Sequence, residues 1–426
     1  MGTQSQNSEP NFLLVNRNSI FRRVETGLTA IAAGKFVVVA DNADREDEGD
    51  LILAAEKATP AALAFMIRYT SGIVCVPLPG ERLRELGLPL MVAENTESQG
   101  TEFTVSVDSK RGTTTGISAA DRATTIRGLA NPGALSDDFL RPGHIFPLRA
   151  REGGVLKRPG HTEAAVDLAR LAGSRPAGVL SEIVNGDGNM MRGAALTTFA
   201  ERHGLPFLAV SDLIAYRRSR ERIVERTAEA RLPTAHGTFQ VYVYRSKLDG
   251  SEHLAIVKGE IAGRENILAR VHSECFAGDL LGSTRCDCGQ QFEQALSCIE
   301  QEGAGVVVYL RKPRGRGRGL TSKVQAHAVE GHGYCGVEAK DELGLPVNSD
   351  NYDLGAQILG DLGLTTIRLM SNNPAHPTPL VGYDLTIVTD VPLSRRRNVL
   401  SAGHTARRGG RVRLRPNRGF PRQPAT

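Results

Sequence analysis

Tryptophan is absent from these 426 residues, and phenylalanine and tyrosine together supply only 5%. Proteins that hold single-stranded nucleic acid usually stack bases on aromatic side chains, so this shortage argues against such a binder. No apolar run comes near the roughly 20 residues that span a bilayer. The opening "MGTQSQNSEPN" lacks the basic and apolar parts of a secretory leader, and Gln6 stands where a myristoylation signal needs Ser or Thr. A cytoplasmic protein with no membrane partner is expected. Acids are missing from Ser394 to Thr426, where ten arginines stand unopposed. Because the whole chain carries only +5, everything before that tail is net acidic, and the basic balance says nothing about the rest of the molecule. Cysteine is scarce in the first half, which has only Cys75, while Cys275, Cys286, Cys288, Cys298 and Cys335 crowd the second. In a cytoplasmic chain such crowding points to metal or catalysis rather than disulfides.

The length allows two or three domains. "GKFVVVAD" predicts a short buried strand running into an acidic loop. "TPAALAFMIRYTSG" predicts a helix with Thr59 as N-cap, Pro60 at its first position and Gly72 past its end. Strand and helix signals alternate in this way to about Ile214, predicting an α/β or α+β domain over residues 19–215 behind a flexible N-terminus, 1–18. Residues 216–233 are dense in charge and poor in core formers, and read as a solvated helical linker closed by Pro233. A second domain, 234–393, and a basic disordered tail, 394–426, complete an α/β or α+β two-domain protein.

Within "DREDEGDLI" the residues Arg45, Glu46, Glu48 and Asp50 follow a buried strand, where carboxylates can hold a hard divalent cation. "LKRPGHTEAAVDLARLAG" sets a basic loop before a helix with Thr162 as expected N-cap, an apolar face of Ala165, Val166, Ala169 and Leu171, and Gly173 at its end. That arrangement is an anion site fit for a sugar phosphate. "RPGH" occurs at Arg141–His144 and again at Arg158–His161, each expected on a turn. Together with "RYTSGIVCVPL", "TTTGISAADRATTIRGLA" and "AGVLSEIV", these stretches closely resemble 3,4-dihydroxy-2-butanone 4-phosphate synthase, over roughly Ile20 to Ile214. The resemblance implies an enzyme acting on ribulose 5-phosphate, with Mg²⁺ or Mn²⁺ on Glu46 and His161. It further implies substrate contacts from Arg45, Glu46, Asp50, Arg158, Pro159, Gly160, His161, Thr162 and Glu182, essential roles for His144 and Glu182, and a homodimer.

The second half places Cys275, Cys286 and Cys288 in a C-x10-C-x-C pattern, three thiolates with room for a fourth ligand. With "RVHSEC", "RCDCG", "GAQILGDLG" and "NNP", residues Thr234 to Leu393 resemble GTP cyclohydrolase II. The resemblance implies Zn²⁺ on the three cysteines. GTP contacts would come from Arg270, Val271, His272, Ser273, Glu274 and Gln291, and from Arg314, Gly315, Arg316 and Ser371 if the site is retained.

Departures from that family's pattern cluster where its chemistry lies. "RKPRGRGRGL" stands where the family reads R-x-x-E-G-R-G-I-G-L, so Arg314 replaces an acid and Arg318 an isoleucine. "NSDNY" stands for D-x-R-D-Y, putting Asn348 at the proton acceptor and Asp350 at the arginine nucleophile. Ser371, His376 and Gly336 replace a threonine, a lysine and another threonine. An amide accepts no proton at neutral pH, and a carboxylate cannot replace a guanidinium. The expectation is therefore a working synthase joined to an impaired or inactive cyclohydrolase half. Three readings stand beside it: full bifunctionality, a second half that serves as scaffold or GTP sensor, and nucleic-acid binding confined to the basic tail.

Overall fold

The computed structural model describes residues 9–41, 45–284, 286–311, 352–372 and 385–393, the side chains of 9–18, 352 and 353 apart. The substituted positions Arg314, Arg318, Gly336, Asn348, Asp350 and His376, with Gly315, Arg316 and the basic tail, lie outside the described residues.

The first domain is built on a seven-stranded mixed sheet. Its strands are β1 (Val37–Ala40), β2 (Gly49–Ala54), β3 (Cys75–Pro79), β4 (Val107–Ser109), β5 (Phe139–Ala150), β6 (Gly178–Glu182) and β7 (Phe207–Ala209), in the spatial order β4-β5-β3-β6-β2-β1-β7. Residues alternate sides along a strand, so β2 sends Leu51 and Leu53 into one core and Ile52 and Ala54 into the other. Helices α2 (Pro60–Tyr69), α4 (Ala119–Ala130) and α6 (Ala194–His203) cover the first face; α1 (Glu9–Ala32), α5 (His161–Leu171) and α7 (Val210–Arg220) cover the second. The short α3 (Gly80–Glu85) follows β3. A sheet buried on both faces explains why its strands read as continuous apolar runs.

The expected start of α2 is present, with Thr59 Oγ1 accepting from Ala62 N at 3.1 Å, and Gly72 takes φ +81° just past the end. Three other expectations are corrected. Helix α1 begins at Glu9, so residues 9–18 are helical rather than a flexible lead. Gly160, not Thr162, is the N-cap of α5, and Thr162 is buried in the first turn. The first "RPGH" lies inside β5 rather than on a turn: Arg141–His144 form an irregularity of that strand, between Leu140, which pairs with Asp108 of β4, and Ile145, which pairs with Val107.

The second domain repeats the layered plan. Strands β8 (Val224–Thr234), β9 (Gly237–Ser246), β10 (Glu252–Lys258), β11 (Ile267–Ser273), β12 (Gly305–Leu310), β13 (Thr366–Met370) and β14 (Thr386–Val391) lie in the order β14-β13-β11-β12-β10-β9-β8. In β12, Val307 packs toward α8 (Cys288–Glu302), while Val306 and Val308 pack toward α9 (Tyr352–Asp361). The predicted helical linker is overturned here. Beyond α7 the charged stretch is β8, paired along its whole length with β9, so the junction falls near residues 221–223. Charge density signalled solvent correctly but not the element: pairing with β9 overrode helix propensity, and an edge strand exposed along most of its length calls for such charges.

Candidate functional sites

Strand register brings the first constellation together. Cys75 of β3 lies opposite both Phe146 of β5 and Leu180 of β6. β5 runs parallel to β3 and β6 antiparallel, so both continue past Cys75 to the same sheet end, where β5 bears His144 and β6 bears Glu182, whose carbonyl accepts from Ser71 N at 2.8 Å. Glu182 pairs with Asp50 of β2, and Asp41 follows β1, its amide donating to the Glu48 carbonyl at 3.2 Å. Four strands and the loop after β1 thus deliver their polar residues to one edge of an otherwise apolar sheet.

His161, first residue of α5, points its imidazole at that edge. Its Nδ1 lies 3.7 Å from Asp50 Oδ1 and 3.9 Å from Glu46 Oε2, while its Nε2 and Asp50 Oδ1 are buried without a hydrogen-bond partner. Asp41, Glu46 and His161 each offer a ligand atom within 4.8 Å of one another. Burial lowers the His161 pKa, and burial next to Glu182, Glu46 and Asp41 holds the Asp50 carboxyl well above the usual range. Burial likewise raises Glu46 against the pull of Arg45. Carboxylates clustered around a neutral imidazole with an orphaned nitrogen are a donor set that fits a divalent cation.

The anion half of the site is the start of α5, whose first amides face a loop bordered by Arg45 and Arg158. A Cβ on Gly160 would fall 2.6 Å from Arg158 Nη1 and 3.2 Å from Arg45 Nη2, so a side chain there would push on both guanidinium groups at the helix end. Arg45 donates to Asp41 at 2.8 Å and Glu46 at 3.0 Å. Arg158 donates to Glu163 at 2.7 Å, to Thr101 Oγ1 at 2.8 Å and to the Gln99 carbonyl, tying this loop to the 97–101 turn.

His144 is set differently. Its Nδ1 lies 2.6 Å from Asp108 Oδ2, and its backbone N–H donates to Asp108 Oδ1 at 3.0 Å. With the carboxylate accepting at Nδ1, Nε2 is left to exchange a proton. Gly116, at φ +90°, sits against this pair; a Cβ there would lie 2.1 Å from Asp108 Oδ2. Asp108 and Asp41 were not picked out from the sequence. Asp41 had a signal, since it closes "VVVAD"; Asp108 had none, because its partner is 36 residues away and they meet only through the β4–β5 pairing.

In the second domain Cys275, Cys286 and Cys288 converge, with ligand atoms within 4.8 Å of one another and 3.7 Å between the Cys275 and Cys286 sulfurs. Four thiolate-type ligands around zinc at a bond length near 2.3 Å stand about 3.8 Å apart, so the spacing fits that metal. The Cys275 thiol is lowered to about 5, chiefly by its hydrogen bond with Cys288, while the same bond and burial push Cys288 up. Gly278, in the π-helical turn Phe276–Leu280, leaves space for them: a Cβ there would be 2.9 Å from Cys286 Sγ. Cys298 lies in α8 outside this cluster.

Behind the thiols, Asp279 accepts from Cys275 N at 2.8 Å, from Tyr309 Oη at 2.8 Å and from His272 Nε2 at 3.1 Å. Of the expected GTP contacts, Arg270 and Gln291 meet each other, Arg270 Nη2 donating to Gln291 Oε1 at 2.6 Å, and Arg270 Nη1 also donates to the Met370 carbonyl. Val271 faces the apolar core beneath α9, Ser273 is exposed at the end of β11, and Glu274 N donates to the Leu310 carbonyl. Ser371 follows β13, its amide donating to Val391 O.

A 3,4-dihydroxy-2-butanone 4-phosphate synthase family model matches residues 25–216, and a GTP cyclohydrolase II model matches residues 225–392. The chain is 56% identical over 380 residues to the riboflavin biosynthesis protein RibBA of Nocardia farcinica, covering 89% of this chain and 92% of that protein. It is 55% identical over 375 residues to a probable bifunctional riboflavin biosynthesis protein of Oryza sativa, covering 88% and 68%. Among solved structures, a two-domain 3,4-dihydroxy-2-butanone 4-phosphate synthase, RibBX of A. baumannii, is similar at a TM-score of 0.69 and 38% identity, covering 87% of this chain and 99% of that one.

Proposed function

The chain belongs to the family of riboflavin biosynthesis proteins that join a 3,4-dihydroxy-2-butanone 4-phosphate synthase to a GTP cyclohydrolase II domain, and from that premise we propose a division of labour between its residues. It is a synthase of riboflavin biosynthesis, and the groups at the sheet edge share the work. Ribulose 5-phosphate binds at that edge with its phosphate toward the first turn of α5, where helix amides and Arg45 meet it and Arg158 keeps the loop in place. Glu46, His161 and Asp41 are the residues that would hold Mg²⁺ or Mn²⁺. When bound, the ion stabilises the negative charge that develops on the sugar oxygens as the ketose enolises.

His144, oriented by Asp108, takes and returns protons at Nε2, and Glu182, at the end of β6, is the second group that moves them. Loss of water, migration of a carbon, return of a water and release of formate then yield 3,4-dihydroxy-2-butanone 4-phosphate, with no net gain or loss of water. The observation that carries this reading is the convergence of a buried, unpartnered His161 Nε2 with Asp41 and Glu46 at the sheet end that also bears His144 and Glu182. Formate release from ribulose 5-phosphate should require Mg²⁺ or Mn²⁺ and stop with EDTA. Undiminished release in EDTA would overturn the metal assignment.

The molecule acts as a homodimer in this reading. Ile73, Ile117 and Leu140 are 52%, 47% and 51% exposed beside His144 and its loop, apolar surface that a second copy would cover. Light scattering that gives a monomer at assay concentration would refute it.

The second domain folds around zinc on Cys275, Cys286 and Cys288 but turns GTP over poorly or not at all. Support comes from the sequence, where Asn348, Asp350 and Arg314 replace a base, a nucleophile and an acid. Losing one member of a group that acts as a unit removes most of its rate enhancement. Paired assays on one preparation decide it: pyrophosphate from GTP at a rate comparable to formate from ribulose 5-phosphate would mean a fully bifunctional enzyme.

A further inference from the structure

The loop that carries Arg158 and His161 does not hold itself up. Lys157 N and Arg158 N both hang on the carbonyl of Gly154, at 2.9 and 3.1 Å. That turn is fixed from behind by two buried groups: Asp167 Oδ2 accepts from Val155 N at 2.8 Å, and Arg217 Nη1 donates to Gly153 O at 2.8 Å and to Asp167 Oδ2 at 2.7 Å. The fit allows no side chain between them, since a Cβ on Gly154 would lie 2.3 Å from Asp167 Oδ2.

Arg217 stands in the last turn of α7, at the domain junction. Its other two nitrogens are taken by the Glu221 carboxylate in a two-pronged pair of 2.8 and 2.6 Å. The backbone around Glu221 is in turn gripped by one side chain of the second domain, Gln357 of α9. Gln357 Nε2 donates to Glu221 O at 2.8 Å and to Arg218 O at 3.2 Å, while its Oε1 accepts from Ile223 N at 2.8 Å. Apolar contact reinforces the same junction, with Leu156 and Leu248 packed against the second domain's core.

We propose that Arg217 is a positioning residue through which the second domain, by way of Gln357 and Glu221, sets the loop that presents Arg158 and His161 to substrate and metal. Two-ended amide and guanidinium contacts suit that task, because each fixes direction as well as distance. The second half thereby influences the synthase site whether or not it turns over GTP. The proposal rests on the assignment of the Arg158–His161 loop to the synthase site.

The test uses full-length protein with Gln357→Leu, with Glu221→Gln, and with both, following formate release as a function of ribulose 5-phosphate and of Mg²⁺. Expected is a rise of about three- to tenfold in KM and in the Mg²⁺ needed for half activation, with kcat held within about twofold. The double variant should be no worse than the more affected single one, because both changes interrupt one route. A role in folding alone would instead lower the active fraction, and so kcat, leaving KM unchanged, and would overturn the proposal. So would parental KM and Mg²⁺ dependence in both single variants, or strictly additive losses in the double. His161→Ala separates the two layers: if it kept full activity, the site assignment itself would fall.

Discussion

The synthase site and the thiolate site are assembled on opposite plans. In the first, reacting groups stand on strands paired with neighbours on both sides, and their meeting depends on register across β5, β3, β6 and β2. In the second, Cys275, Cys286 and Cys288 stand within one short stretch around a π-helical turn, and Asp279 ties Cys275 to Tyr309 and His272 of the sheet. A register-built site is rigid and tolerates little change in any member. A loop-built site depends on its metal for order, as small thiolate centres generally do.

Substitutions that remove a register-placed group should cost most. His144→Ala is expected to lower formate release about 10²- to 10⁴-fold, the usual contribution of a positioned acid–base group, with the fold intact by circular dichroism. Asp108→Asn keeps the shape but loses the charged acceptor at Nδ1, and should cost about 100-fold in kcat with a smaller change in KM. A drop below tenfold would mean that His144 orients itself.

In the thiolate site Cys286→Ser should abolish stoichiometric zinc, measured by elemental analysis, and lower the unfolding temperature of the second domain. Asp279→Asn should weaken zinc about tenfold in a chelator competition without changing the stoichiometry. Equal effects from the two changes would erase the contrast between ligand and support.

The smallest effect concerns pH. In metal-free protein Asp50 titrates above its unfolded range, because burial and Glu182 disfavour its charged form. The native state therefore holds that proton more tightly, and the stability it contributes, full below the ordinary Asp range near 4, is lost as pH rises toward the raised native value. Denaturant titrations in EDTA should show this decline, and Asp50→Asn should flatten it.

Much of this was open to reading in the chain. The cap and first turn of α2 and the thiolate triad lie in short segments whose chemistry is local, whereas Glu46 with His161, far apart in the chain, was an expectation carried by the family resemblance. Asp108 was not legible, since its partner is fixed by the pairing of β4 with β5 rather than by spacing. Nor was β8, whose charges speak for solvent in helix and strand alike until β9 is seen beside it. The cap of α5 went to Gly160 rather than Thr162, because His161 and Thr162 already lie within the helix.

That same β8 bears on how the molecule can be divided. It gives the second sheet a blunt margin, with Glu225, Arg226, Glu229, Arg231 and Pro233 spaced along it. A cut between α7 and β8 would leave each half with its own sheet complete. A cut at the Ala235–His236 turn would hand β8 to the synthase and strip the long β9 ribbon bare, its amides and carbonyls free to recruit strands from other molecules. Limited proteolysis at the two places should thus yield a soluble pair of fragments in one case and a precipitate in the other.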